Sequence, residues 1–172
     1  QSIADKARAE AYRFSTEQEA EGTRALGLAE ADAIRAKSLA EADGINKKAE
    51  AMQKYGVHGV CVKLTEGTTY VNPYAKMQIS NAIAAGMNVS AYHYSWFTTK
   101  AQAEAEADFF AKTAFSMGLD TNTLMVNDAE NPVMNNGFTT ENSLYFALRL
   151  IDHFGFNRVV HYSFANWFTT GV

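Results

Sequence analysis

The chain has 172 residues, of which 47% are hydrophobic, and this is enough apolar material for a packed core. Its net charge of −4 gives no electrostatic reason to expect nucleic acid or an anionic membrane as a partner. No run of the sequence reaches the roughly 20 apolar residues of a membrane span. The single cysteine cannot form an internal disulfide.

Cysteine and histidine residues give no sign of a metal site. Cys61 lies in the apolar run from Val57 to Leu64, which predicts a buried and unreactive thiol. The four histidines lack the spacing of metal ligands; they are His58, His93, His153 and His161. We therefore expect no metal and no cofactor.

The composition changes near residue 55. Residues 1–55 are dense in Ala, Glu, Lys and Arg and contain only three of the chain's aromatic residues, namely Tyr12, Phe14 and Tyr55. Both prolines and all other aromatic residues follow. Such a break predicts two domains, a helical coil segment over 1–55 and a second domain over 56–172.

The first segment contains an internal repeat. The sequence LAEADAI at 28–34 recurs as LAEADGI at 39–45, and this eleven-residue period is close to three turns of an α-helix. Its larger apolar residues form a thin stripe, made of Leu28, Ile34, Leu39, Ile45 and Met52. A helix with so thin a stripe is marginal alone. It either self-associates or packs on the second domain, or it stays a solvated helix with frayed ends.

This segment resembles the Ala/Glu-rich coil of flotillin-type scaffold proteins over residues 4–56. The resemblance rests on ADKARAEAYRF and on AEADAIRAKSLAEADGINKKAEAMQKYG. It implies self-association through residues 1–55. Membrane association does not carry over, because the family's separate membrane-binding domain has no counterpart here.

The second domain alternates predicted strands and helices. Strands are predicted at 57–64, 87–94, 124–128 and 158–162. The helices between them begin at Asn72-Pro73, at Thr99 and at Thr139/Thr140, and each ends near a glycine. This alternation predicts parallel strands with right-handed crossovers. The predicted fold class is α/β, a partial β/α (TIM-like) barrel of about four parallel strands preceded by a long α-helical, coiled-coil-like segment.

In such folds functional residues collect beyond the carboxyl ends of the strands. Carboxylates, aromatic rings and a histidine follow the four predicted strands: Glu66, His93, Tyr94, Trp96, Asp128, Glu130, Tyr162 and Trp167. Rings stack on the faces of sugars and carboxylates bind their hydroxyl groups. This set of residues therefore favours a saccharide as the ligand.

Four motifs in order resemble glycoside hydrolase family 25, the lysozymes of phage endolysins and bacterial cell-wall enzymes. They are GVCVKLTEGTTYVNPYA, GMNVSAYHYSWF, LMVNDAENP and NRVVHYSFANWF, between residues 55 and 172. The resemblance implies an irregular β/α barrel that cleaves peptidoglycan between N-acetylmuramic acid and N-acetylglucosamine. It implies that Glu130 is the proton donor and that Asp128 supports the transition state or the acetamido group. It also places Tyr92, Tyr94 and Tyr162 along the groove.

The spacing of the two acids agrees with paired carboxyl chemistry. Residues i and i+2 of a strand share a face, about 6.6 Å apart. Two like charges at that distance raise one pKa, so one acid keeps its proton while the other stays ionised. The alternative is that Asp128 and Glu130 only solvate or cap the loop before Pro132.

The sequence also departs from the family. A complete barrel takes about 200 residues or more, only four of eight strands are found, and residues 1–55 lack the family's first-strand aspartate. An incomplete barrel predicts an inactive enzyme, and we hypothesise that the chain is a chimera, natural or designed. Two functions therefore stay open: a peptidoglycan-cleaving muramidase, phage-encoded or directed to the bacterial cell wall, or a coil-driven oligomeric scaffold without catalysis.

Overall fold

The computed structural model describes the backbone of residues 2–170 and most of their side chains. The chain divides into two compact units, Gln1–Gly44 and Ile45–Val172. The division falls inside a helix, ahead of the change in composition near residue 55. The domain boundary predicted at that change stays a prediction.

The first unit consists of helix, as the repeat predicts. The helix α1 (Ile3–Lys54) runs without interruption past three glycines. The apolar side chains of Leu28, Ile34 and Leu39 on it are 60%, 66% and 71% exposed. The side chain of Ile45, another residue of the predicted stripe, lies outside the described part of the chain.

The second unit contains a sheet of five strands, in the order β2-β1-β3-β4-β5. The strands are β1 (Gly59–Glu66), β2 (Tyr70–Val71), β3 (Asn88–Tyr94), β4 (Leu124–Asp128) and β5 (Arg158–Tyr162). The pairs β1–β3, β3–β4 and β4–β5 are parallel, and β2 pairs with β1 in the antiparallel sense. The four predicted strands are confirmed, with β1 beginning later and ending later than predicted. The sequence did not predict the short strand β2.

Helices connect the parallel strands. They are α2 (Ala75–Ala84), α3 (Lys100–Ser116) and α4 (Thr139–Leu148), which continues as a π-helical turn over Arg149–His153. A short helix, α5 (Ala165–Thr170), follows β5 and was not predicted. None of the described helices is both long enough and apolar enough to cross a membrane.

The predicted helix ends are partly confirmed. Thr99 caps α3 by accepting a hydrogen bond from the backbone N–H of Gln102. Gly86 and Gly118 follow α2 and α3 with φ of 72° and 89°, a conformation that favours glycine. The predicted start of α2 at Asn72 is wrong, because the Asn72 side chain accepts from the N–H of Tyr74 and shapes a turn before the helix.

The core lies on one face of the sheet. Leu64, Ala91 and Met125 point to this face and are fully buried, and the large rings Phe110 and Phe146 of α3 and α4 cover them. Side chains alternate along a strand, so the intervening residues lie on the opposite face.

The prediction that Cys61 is buried is wrong, because Cys61 lies on this opposite face and is exposed. The apolar run around Cys61 suggested burial on both sides, but its neighbour Val62 takes the core position. Val160 and Tyr162 of β5 lie on the same open face as Cys61 and are 42% and 56% exposed.

Candidate functional site

The ends of four parallel strands place one row of residues across the open face. Glu66 pairs with Tyr94, Tyr94 with Asp128, and Asp128 with Tyr162. We call these four residues the rim row. All four were predicted as site residues from their positions at strand ends, and the structure brings them together side by side.

A bulge in β1 completes one end of the rim row. Lys63 pairs with Tyr92, but the register then shifts at Leu64, so that Glu66 reaches the rim row on the same face. Lys63 Nζ therefore lies 2.6 Å from a carboxylate oxygen of Glu66. This lysine and this glutamate thus form an ion pair at the end of the rim row.

Two aromatic rings surround the same ammonium group. Lys63 Nζ lies 5.4 Å from the centroid of Tyr70 and 5.1 Å from that of Tyr94, both within the range of cation–π attraction. Tyr70 belongs to the unpredicted strand β2. The lysine, Glu66 and the two rings thus form a fixed polar cluster at one end of the rim row.

Asp128 and Glu130 lie at the centre of the site. Both side chains are half-buried, whereas Ala129 between them is in the core, so the alternation of β4 extends past its last residue. This confirms the expectation that the two acids share a side of the chain. Among the described residues, Asp128 Oδ1 is a buried oxygen without a hydrogen-bond partner.

The pKa of Asp128 is raised from its ordinary value of 3.8 to about 6. Burial is the largest cause, and the charge of Glu130 and a hydrogen bond with its carboxyl group add to it, while the ammonium of Lys63 opposes it. The resemblance implied a protonated Glu130 beside an ionised Asp128. The raised pKa means that Asp128 keeps its proton to a higher pH than an ordinary aspartate does, and the roles of the two acids stay predictions.

His93 does not line the open face, and its prediction as a substrate contact is wrong. Tyr92 and Tyr94 point to the open face, so His93 between them points into the core, where it is fully buried. Its ring lies 5.5 Å from Phe110 and 5.4 Å from Phe146. Burial lowers the pKa of His93 despite the nearby Glu106 carboxylate.

The other predicted contacts fall in different places. Tyr92 is half-buried on the open face, behind the rim row. Trp96 is 48% exposed and lies in the loop after β3. Trp167 is only 9% exposed, because α5 turns it into the core, where Phe164 packs against it edge to face.

A cavity of about 720 Å³ lies beside the rim row. Its walls are the turn between β1 and β2, the loop after β3 and the beginning of α3. Glu66 and Tyr70 line one side, and Trp96, Gln102 and Glu106 line the other. An indole, a phenol and carboxylates around a space of this size are a typical lining for a sugar-binding site.

Two buried polar residues of this region escaped the sequence analysis. Glu106 is 4% exposed, and Asn127 is fully buried and hydrogen-bonded to Ser95 Oγ at 2.5 Å. The signal that could have found Glu106 was its place on the apolar stripe of α3, between Ala103 and Phe110. The signal for Asn127 was a polar residue at a core position of β4.

The described side chains contain no cluster of three or more His, Cys, Asp or Glu residues arranged to hold a metal ion. The chemistry that these residues offer is that of paired carboxyl groups, one with a raised pKa, beside aromatic rings on an open face.

The sequence profile of the glycosyl hydrolases family 25 matches residues 40–172. A search of curated proteins found no match. The flotillin-type resemblance and the scaffold alternative receive no support from these comparisons.

Solved structures with the same architecture include lytic enzymes. The chain is 27% identical to the CTP1L endolysin, with a TM-score of 0.56, over 69% of this chain and 41% of that protein. It is 27% identical to the lysozyme of Streptomyces coelicolor, with a TM-score of 0.60, over 72% of this chain and 59% of that protein. It is 25% identical to the Cpl-1 endolysin complexed with a peptidoglycan analogue, with a TM-score of 0.54, over 72% of this chain and 34% of that protein.

The chain thus spans less than two thirds of the length of each of these proteins, and the hypothesis that it is a chimera stays a prediction. The family profile nevertheless matches well over half of it, in the region that holds both carboxyl groups and the rim row. The chain therefore belongs to glycosyl hydrolase family 25.

Proposed function

We propose that this chain is a muramidase, which hydrolyses the bond from N-acetylmuramic acid to N-acetylglucosamine in peptidoglycan. The observation that carries the proposal is the pair of Asp128, a member of the rim row, and Glu130, two residues beyond it, with a raised pKa on Asp128. Membership of the family supports the reaction. The Cpl-1 endolysin, which is complexed with a peptidoglycan analogue, supports the substrate class.

The open face suits a glycan strand. Tyr94 and Tyr162 flank Asp128 in the rim row, and Trp96 stands at the cavity beside it. Aromatic rings bind the apolar faces of pyranose rings, while carboxylates accept hydrogen bonds from hydroxyl and acetamido groups. We assign Glu66 and Tyr92 supporting roles on the same face.

In the proposed reaction the two carboxyl groups share one proton. The raised pKa lets Asp128 carry this proton up to a pH of about 6, and transfer across their hydrogen bond to Glu130 leaves Asp128 ionised. Glu130 then donates the proton to the glycosidic oxygen as the bond to the sugar carbon breaks, and Asp128 stabilises the positive charge that develops there. Water adds to the sugar carbon and returns a proton to Glu130.

The proposal includes the architecture around the site. We interpret the sheet as part of a β/α barrel, because its four parallel strands are joined by helices on one face and its other face is open. The rim row then lies at the carboxyl-end mouth, where barrel enzymes hold their reacting groups.

Analysis of the cleavage products tests the proposal. Purified bacterial peptidoglycan is incubated with the whole chain, reduced with borohydride, hydrolysed and examined for reduced sugars. Reduced N-acetylmuramic acid is the expected product, and Glu130→Gln should form it more slowly by a factor of about 10² to 10⁴. Reduced N-acetylglucosamine would show that another bond is cleaved, and a lack of new reducing ends would contradict the proposal.

A separate proposal concerns residues 1–55, which we infer to associate with a second copy of the chain. The supporting observation is that Tyr12, Phe14 and Leu26 on α1 are 76%, 65% and 68% exposed, in addition to the stripe described above. An isolated helix with this much exposed apolar surface gains free energy by covering it.

A further inference from the structure

A buried hydrogen-bonded pair, His93 and Glu106, lies directly behind the rim row. His93 Nε2 is 2.8 Å from Glu106 Oε2, and both side chains are almost completely buried. Thr65 Oγ1 lies 2.7 Å from the other ring nitrogen, Nδ1. Burying charged groups is costly unless they are paired and hydrogen-bonded, and the proposed reaction uses neither His93 nor Glu106.

The partners determine where the protons lie. Burial lowers the pKa of His93, so its ring is neutral and carries one N–H. A carboxylate can only accept, so this N–H is on Nε2 and donates to Glu106. Nδ1 then accepts from the Thr65 hydroxyl, so that both ring nitrogens of His93 have a partner.

Glu106 has a further partner on the loop after β3. The backbone N–H of Trp96 donates to the same Oε2 atom at 2.9 Å. The preceding N–H, of Ser95, donates to the carbonyl oxygen of Asp128 at 2.9 Å. The loop is thus hydrogen-bonded to α3 through the Trp96 N–H and to the end of β4 through the Ser95 N–H.

This attachment determines where the Trp96 ring stands. Glu106 and Trp96 both line the cavity of about 720 Å³, and Tyr70 and Glu66 line its other side. The loop is short, so without Glu106 the Trp96 N–H would lose its acceptor and the indole would lose its fixed position at the cavity wall.

We propose that Glu106 is a positioning residue for saccharide binding, which acts by holding the Trp96 ring as a stacking platform for a pyranose ring of the glycan in the cavity beside the rim row. This rests on the proposed function, because it takes the glycan strand as the ligand. It assigns the cavity to a sugar residue next to the one whose bond is cleaved.

A double-mutant cycle on Glu106 and Trp96 tests the proposal. The ligand is a soluble tetrasaccharide of alternating N-acetylglucosamine and N-acetylmuramic acid, and its Kd is measured by calorimetry with the whole chain. We expect Trp96→Ala and Glu106→Ala each to weaken binding roughly tenfold, and the double variant to be no weaker than either single variant. Glu106→Gln, which keeps an acceptor for the Trp96 N–H, should bind like the wild type.

The kinetic readout separates positioning from chemistry. On peptidoglycan, Glu106→Ala should raise KM roughly tenfold with kcat within about twofold, because the acid pair is untouched. Glu104→Gln, an exposed glutamate on the same helix, is the matched control and should change neither. Circular dichroism selects the variants that fold. If Glu106→Ala does not fold, the comparison is made between Glu106→Gln and Trp96→Ala.

Additive losses in the double variant would overturn the proposal, as would a fall in kcat at unchanged KM or a wild type that does not bind the tetrasaccharide. A wild type that binds without cleaving would contradict the muramidase proposal alone, and the cycle would still decide the role of Glu106. If the wild type cleaves peptidoglycan but the losses in the double variant are additive, only the positioning role of Glu106 is contradicted.

Discussion

Tyr94 and Asp128 are register partners on the neighbouring strands β3 and β4. The pairing extends on both sides, to Glu66 on β1 and to Tyr162 on β5, so that a ring and a carboxylate alternate across the sheet. Three of the residues one position earlier, Thr65, His93 and Asn127, are polar as well and are fully buried in the core on the opposite side. Two layers of polar side chains therefore meet at the carboxyl ends of β1, β3 and β4, one open to a ligand and one in the core.

Asp128 should reduce the stability of the fold at neutral pH. Its pKa is about 6 in the folded chain and near 3.8 otherwise, so the folded chain binds the proton more tightly. The stabilisation is present below pH 3.8 and is lost as the pH rises through about 6. Asp128→Asn should therefore raise the Tm at pH 8 by about 2 °C or more, with a smaller gain at pH 4.

Differential scanning calorimetry at the two pH values measures this effect. Asp152→Asn changes an exposed carboxylate and serves as the control, with no difference between the two pH values expected. A Tm for Asp128→Asn below that of the wild type at pH 8 would show that the ionised form of Asp128 is well accommodated.

Lys63 should control the proton affinity of the acid pair. Its ammonium lowers the pKa of Asp128 against the effect of burial, so Lys63→Met should move that pKa above about 6. The pH at which activity falls on the alkaline side of the pH profile should rise as well. Carbon NMR of the Asp128 carboxyl group measures the titration, with Lys112→Met on α3 as the control, and an unchanged midpoint would contradict the assignment.

Replacing His93 alone should lower the free energy of unfolding more than replacing His93 and Glu106 together. His93→Leu leaves the buried carboxylate of Glu106 without its partner, which should cost about 3–5 kcal/mol in the free energy of unfolding. The double variant with Glu106→Leu should recover part of this loss. Urea denaturation compares the variants with His58→Leu, at an exposed histidine, and a larger loss in the double variant would argue that Glu106 does not depend on the hydrogen bond from His93.

Self-association should depend on the apolar residues of α1. Leu39→Glu introduces a charge where the leucine is 71% exposed, so it should leave the monomer folded and weaken the association. Sedimentation velocity over a range of concentrations measures the shift, with Ala33→Glu, on the side of the helix away from the stripe, as the control. A wild type that stays monomeric at every concentration would contradict the proposal for residues 1–55.

The sequence predicted the parallel strands well because each is a short apolar run between clear turn signals. The positions of Asp128 and Tyr162 at the ends of β4 and β5 follow directly from where those runs stop. The alternation of strand side chains also indicated that Asp128 and Glu130 share a side.

Other features depend on contacts that no local pattern specifies. The face of His93 was misjudged because its type suggested chemistry, although Tyr92 and Tyr94 on either side already fixed the alternation. Strand β2 has two residues, too few for a pattern. The exposure of Cys61 depends on what covers the second face of the sheet. The place of Glu106 on the apolar stripe of α3 could have indicated its burial, but only the structure identifies its partners, His93 and the Trp96 N–H.

The most direct test of the central claim is the clearing of purified bacterial cell walls by the whole chain, measured as a fall in turbidity, beside Glu130→Gln. A positioned general acid contributes a factor of about 10² to 10⁴. The wild type should therefore clear the walls, and the folded variant should be slower by about that factor. A wild type that is folded and does not clear them, or a variant that clears them equally well, would contradict the claim that Glu130 and Asp128 form a working catalytic pair.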